Sequence, residues 1–183
     1  MPRLFPLVHN PQWIEEMNNR FNTTITKLWP PSVGGEGTEG RQPGRFEVNV
    51  IFTDPQATVA ALKAASSLAR DLGASIRVRA AISVPYTLPL DEPPVSLLFT
   101  ERLLSNLVCR LEQDAFESTI HLYLCRGRVE TLLQVRTPNS LVVIGGRKHW
   151  WPTAASRMAK ALRSKGHRVV FIGLRRGSRS DVR

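Results

Sequence analysis

The chain has 183 residues, with 25 Lys and Arg against 15 Asp and Glu, a formal net charge of +10, 42% hydrophobic residues, 22% charged residues and two cysteines. That mix excludes a disordered polymer. Cys109 and Cys125 are too few for a disulfide framework, and no apolar run approaches the ~20 residues needed to span a bilayer. One α/β-sized domain plus an extension is expected. Residues 1–10 (MPRLFPLVHN) lack the apolar centre of a signal peptide, so a cytoplasmic chain with reduced, buried cysteines is expected. The excess positive charge admits three anionic partners: nucleic acid, an acidic membrane surface or a small anion. From Arg126 to Arg183 only Glu130 and Asp181 are acidic. The plain alternative is a solvated basic surface.

Residues 1–31 read as a helical extension. Asn10 is suited to the N-cap and Pro11 to the first helical position. Ile14, Met17, Phe21, Ile25 and Leu28 are spaced 3, 4, 4 and 3, which makes one apolar stripe. Pro30-Pro31 ends the run. Residues 32–44 (SVGGEGTEGRQPG) form a flexible linker by composition. The main domain is expected over residues 45–175, followed by a basic tail, 176–183.

Within that domain, residues 46–52 (FEVNVIF) read as a strand. Asp54-Pro55 starts a helix that ends at Gly73. Residues 75–84 form the next strand, and 85–94 a Pro-rich loop. Ser96 caps a helix from Leu97 to about Ala115, with Leu104, Val108 and Leu111 facing inward. Residues 119–124 alternate as a strand. Arg126-Gly127-Arg128 is a turn and 129–135 a short helix. Leu141-Val142-Val143-Ile144 is a short all-apolar strand, expected to stop at the turn Gly145-Gly146. After a further helix, residues 168–173 (RVVFIG) form the last strand. Alternating strands and helices predict a five-stranded parallel sheet, doubly wound into three α/β/α layers. In such sheets the turn after a strand is where anions bind, because helix-start N–H groups favour negative charge.

This order of elements resembles the universal stress protein family, within the adenine-nucleotide alpha-hydrolase-like group. The resemblance covers roughly Phe46 to Leu174. It rests on Thr53-Asp54-Pro55 at the end of the first strand, and on Gly127-Arg128-Val129-Glu130 before the short helix. It rests also on Ser140–Gly145 as the strand that the family writes D-L-I-V-M-G, and on Ala155-Ser156 leading through Leu162 to Val169-Val170-Phe171-Ile172. It implies strand order 3-2-1-4-5 and binding of ATP or AMP. It also implies a homodimer formed through the last strand, Val169, Val170, Phe171 and Ile172.

The family's phosphate loop reads G-x2-G-x9-G-[ST]. Here Gly145 stands for the first glycine, Lys148 replaces the second, and Ala155-Ser156 replaces the final Gly-Ser, with the spacing three residues short. Lysine in place of glycine removes a φ > 0 option and puts a side chain where phosphate would lie. The ligand residues implied are Asp54, Gly127, Gly145, Gly146, Arg147, Lys148 and Ser156. Arg126, Arg128, Arg147 and Lys148 supply cations that compensate for lost glycines. Trp150-Trp151 is an aromatic pair suited to an interface or to stacking on a ligand.

Other chemistries lack their signatures. There is no G-x4-G-K-[ST] and no G-x-S-x-G. The histidines at 9, 121, 149 and 167 show no metal-ligand spacing. The expectation is a non-catalytic binding or regulatory domain, with no metal. The alternatives are the cytosolic regulatory domain of a membrane transporter, of cation-chloride cotransporter or amino-acid permease type, and, last, a nucleic-acid binder.

Overall fold

The computed structural model describes residues 23–28 (backbone only), 46–109, 118–134, 141–147, 150 and 152–174, and every structural statement below concerns these. The strands are β1 (Thr23–Leu28), β2 (Glu47–Ile51), β3 (Ser75–Ser83), β4 (Ser118–Cys125), β5 (Leu141–Arg147) and β6 (Arg168–Leu174). The helices are α1 (Pro55–Leu72), α2 (Leu97–Cys109), α3 (Arg128–Gln134) and α4 (Ala154–Ser164). The sheet order is β1-β4-β3-β2-β5-β6 with all pairs parallel. Its five strands β2 to β6 have the expected order 3-2-1-4-5.

The N-terminal extension requires a correction. The helix expected to reach Leu28 is replaced at its end by β1, which pairs with β4 from Thr23↔Ser118 to Leu28↔Tyr123. Thr23, Thr24, Ile25 and Thr26 are four β-branched residues in a row, stiff at χ1 and suited to extended backbone. The outer edge of β4 offers unpaired N–H and C=O groups that such a segment satisfies. The sheet therefore reaches back to Thr23, ahead of the boundary expected near Arg45. Ile14, Met17 and Phe21, the linker 32–44, the tail 176–183 and Leu111 lie outside the described residues.

Local chemistry fixes the helix ends. Asp54 caps α1 through Oδ1, which accepts from Ala57 N at 3.0 Å, with Pro55 at the first position. Gly73 ends α1 at φ 59°, a left-handed conformation that glycine adopts at no steric cost. α1 and α2 cover one face of the sheet, burying Ala61, Leu62, Ala65, Leu104 and Val108 against Val48, Val50, Val78, Leu122 and Val143. α3 and α4 lie on the other face, where Leu132, Met158 and Leu162 share a core with Ile51, Tyr123, Val142 and Ile144. Alternate residues of each strand thus feed opposite cores. Cys125 is buried as expected, whereas Cys109, at the end of α2, is half-buried.

On the α3/α4 face, β3 carries two arginines in alternation, Arg77 and Arg79. Arg79 is 1% exposed. Its Nε donates to Asn49 Oδ1 at 2.9 Å and its Nη1 to the Tyr123 hydroxyl at 3.0 Å. Arg77 Nη2 pairs with Glu47 Oε1 at 2.6 Å. His121, the register partner of Arg79, stacks on Tyr123 with ring centroids 6.2 Å apart. Burial, reinforced by Arg77 and Arg79, pushes His121 down from 6.5 to about 3.

A histidine whose folded pKa is depressed favours the folded state above its unfolded pKa, and that contribution is lost as pH falls. Stability should therefore decline as pH drops from about 6.5 toward 3, with a slope that His121 raises by at most about 1.4 kcal/mol per pH unit. Urea melts between pH 6.5 and 5, above the main carboxylate titration, should show a shallower slope for His121→Leu than for the natural chain. An unchanged slope would remove His121 as the source.

Candidate functional site

Strand β2 pairs with β3 on one side and β5 on the other, so the chain reverses direction across the sheet between β2 and β5. Ligands of open α/β sheets bind at the carboxyl ends of the strands beside such a point. Here that crevice is stitched shut at its base. Thr53, just after β2, donates its hydroxyl to Gly145 O at 2.8 Å, and its N–H donates to Thr58 Oγ1 at 3.2 Å. Arg128 Nη2 reaches Phe52 O at 3.5 Å, which brings its guanidinium beside the end of β2. Arg147 ends β5 with its side chain exposed.

The glycine pair does not form the expected turn. β5 runs on through Gly145 and Gly146 to Arg147, and the strand alternation continues through both. A Cβ on Gly145 would lie 1.8 Å from the Ala57 carbonyl oxygen of α1. On the other face, a Cβ on Gly146 would lie 2.7 Å from the Phe171 ring and 2.9 Å from Ala155 Cβ of α4. These glycines let a strand approach two helices closely, which is a packing role. Among the described glycines, positive φ occurs at Gly73 and Gly166.

A cavity of about 430 Å³ opens one strand away, above β3 and β4. Tyr86 and Leu90 of the Pro-rich loop, Leu124, Cys125 and Arg126 at the end of β4, and Gly127, Glu130 and Thr131 at the start of α3 line it. Arg126 builds its wall. Nη1 donates to the carbonyls of Val84, at 3.0 Å, and Pro85, while Nη2 donates to Leu88 O at 2.9 Å. The guanidinium also lies 5.1 Å from the centre of the Tyr86 ring. Five donors in a rigid fork suit such a clamp. Burial pushes the Cys125 thiol up, against smaller lowering effects from Thr131 and Arg128. It therefore stays protonated at neutral pH and is a poor nucleophile.

The expected site residues thus separate. Asp54, Gly127, Arg128 and Arg147 stand at the carboxyl edge. Arg126 is committed to the loop and is not an open cation for a ligand. Ser156 belongs to the start of α4: its N–H donates to Thr153 Oγ1 at 3.2 Å and its hydroxyl to Thr153 O at 2.9 Å. Trp150 is exposed. Lys148 and Trp151 lie outside the described residues. Val169, Val170, Phe171 and Ile172 are half-buried on β6, which ends the sheet order. Sequence reasoning missed Tyr86, Glu130 and Thr131 as a cavity lining. The available signal was an aromatic within a Pro-rich loop, facing an arginine at the next strand end.

Among known structures, a universal stress protein from Archaeoglobus fulgidus superposes with a TM-score of 0.52 over 69% of this chain and 93% of its own, at 17% identity. The fold is that of the universal stress proteins. Weaker likenesses include a universal stress protein in complex with cAMP (14% identity, 70% of this chain and 97% of that one, TM-score 0.46). UspA from Lactobacillus plantarum is another (11%, 69% and 97%, TM-score 0.40). No family sequence model and no curated protein matches the chain. Among the described residues, no helix is long and apolar enough to cross a membrane.

Within this universal-stress fold the glycines separate by substitution. Gly145→Ala should cost about 3 kcal/mol or more, because its obstacle is backbone that cannot yield. At Gly127 the atom met is Glu130 Oε2, at 2.2 Å, the mobile end of an exposed side chain. Gly127→Ala should therefore cost under about 1 kcal/mol. Chemical denaturation of both variants checks the contrast, and equal losses would contradict it.

Proposed function

We propose that the chain is a non-catalytic binding and regulatory domain that takes a small anionic ligand, an adenine nucleotide first among them, at the carboxyl edge of the sheet. The observation that carries this reading is the cavity of about 430 Å³ above the carboxyl ends of β3 and β4, one strand from the reversal point, walled by a loop that Arg126 holds in place. Its size suits a small molecule. The Tyr86 ring, 86% exposed, offers a stacking face for a planar base. Arg128 and Arg147 stand at the same edge to meet phosphate.

The grip on phosphate would differ from a glycine cradle. Gly145 and Gly146 are covered by α1 and by Ala155 and Phe171, so side-chain guanidinium groups must replace backbone N–H groups. Asp54 keeps its capping role and, with its second carboxylate oxygen, can accept from a ligand hydroxyl. Binding rather than turnover is favoured by the chemistry at the edge: the thiol is held protonated, and His121 is kept neutral within the sheet, not at its rim. Pairing of two copies along β6, through Val169 to Ile172, is part of the same proposal.

Thermal unfolding with ATP, AMP and cyclic dinucleotides, with and without Mg²⁺, tests the ligand. Saturation at about 100 times the Kd adds about 2.7 kcal/mol, a rise of roughly 5–10 °C for a chain of this size. Arg128→Ala and Tyr86→Ala should each reduce that rise while leaving the ligand-free melt within about 2 °C. No shift with any of these nucleotides would overturn the adenine-nucleotide reading. For the pairing, sedimentation should give twice the chain mass, falling to one chain mass in Val170→Lys.

A further inference from the structure

Helix α4 is held by its inner face, where Ala155, Met158, Ala159 and Leu162 are buried. Its outer face carries Arg157, Lys160 and Arg163, with Lys165 just beyond its end, all exposed. At about 100° per residue, Arg157 and Arg163 lie about 60° to either side of Lys160, so the three form one stripe. Between Leu141 and Leu174 the sequence contains Arg147, Lys148, Arg157, Lys160, Arg163, Lys165 and Arg168, and no Asp or Glu.

Helix stability accounts for part of this stripe only. Arg163 and Lys165 sit at the end where the helix dipole favours cations, and Arg163 Nη2 also donates to Val169 O at 3.1 Å. Arg157 sits in the first turn, where the dipole disfavours a cation, and no acidic residue of that turn offsets it. Lys160 adds to the repulsion at mid-helix. Three residues before the cap Thr153, Trp150 is 89% exposed.

We propose that this face, Arg157, Lys160 and Lys165 with Trp150 at its rim, docks the domain on an anionic lipid membrane. Cations spread over a flat helix surface meet a plane of headgroup charge, and an exposed tryptophan seats at the headgroup level. A helix packed flat on a sheet is poorly shaped to enter a nucleic-acid groove. Single-stranded nucleic acid would call for several stacking aromatics among the cations. The inference does not depend on the nucleotide reading, since it uses none of the same residues.

Co-sedimentation of the full chain with phosphatidylcholine vesicles, with and without phosphatidylglycerol, tests it. The chain should pellet only with the anionic vesicles and be released by high salt. Its tryptophan emission should shift to the blue on binding, and Trp150→Phe should remove most of that shift. R157Q together with K160Q should weaken binding about 25-fold, at roughly fivefold per charge, with unchanged circular dichroism and a melting temperature that is equal or slightly raised. Failure to pellet with anionic vesicles would overturn the proposal. So would undiminished binding by the double variant, or tight binding to duplex DNA with none to vesicles.

Discussion

The molecule depends on how closely β5 lies against the first turn of α1. The space that a side chain at Gly145 would need is filled by the carbonyl of Ala57, and the Thr53 hydroxyl ties the same glycine to the end of β2. Those two contacts set the spacing of the strands at which the sheet reverses direction. Every element at the carboxyl edge is referred to that spacing, including the cap at Asp54, the guanidinium of Arg128 beside Phe52 O and the exit of Arg147. A residue type usually credited with wrapping phosphate is here spent on bringing backbone against backbone.

A second constraint acts inside the sheet. Arg79 is buried among strands, and a buried guanidinium is tolerated only when its donors are matched. Asn49 and Tyr123, from the strands on either side, each accept from it. One side chain therefore ties β2, β3 and β4 together on the face shared with α3. It also raises the cost of protonating His121, so this part of the sheet keeps one charge state over the neutral range.

Much of the fold was legible because the local signals agreed. Asp54-Pro55 and Gly73 marked both ends of α1, and the all-apolar run Leu141–Ile144 marked β5 as a strand buried on two faces. Two readings failed where one residue type serves two ends. Gly145-Gly146 looked like punctuation because glycine commonly ends strands, and only the neighbouring helix reveals that it fills a tight approach. Ile25 and Leu28 fitted a helical stripe, but the threonines among them favoured the extended chain once an open strand edge lay beside it. Arg126 was recognised as a strand-end cation. Its commitment to three loop carbonyls depends on the path of residues 84–88, which has no periodic signature.

The position of β1 bears on how the chain is made. Thr23 pairs with Ser118, 95 positions later (118 − 23), and its partner strand forms only after α1, β3 and α2 have been synthesised. A pairing so distant in sequence pays its loop-closure entropy late. During synthesis the threonine-rich segment must wait without its partner until β4 has been made. At this edge β1, which precedes β2, β3 and β4 in the chain, can dock only after all three have been made.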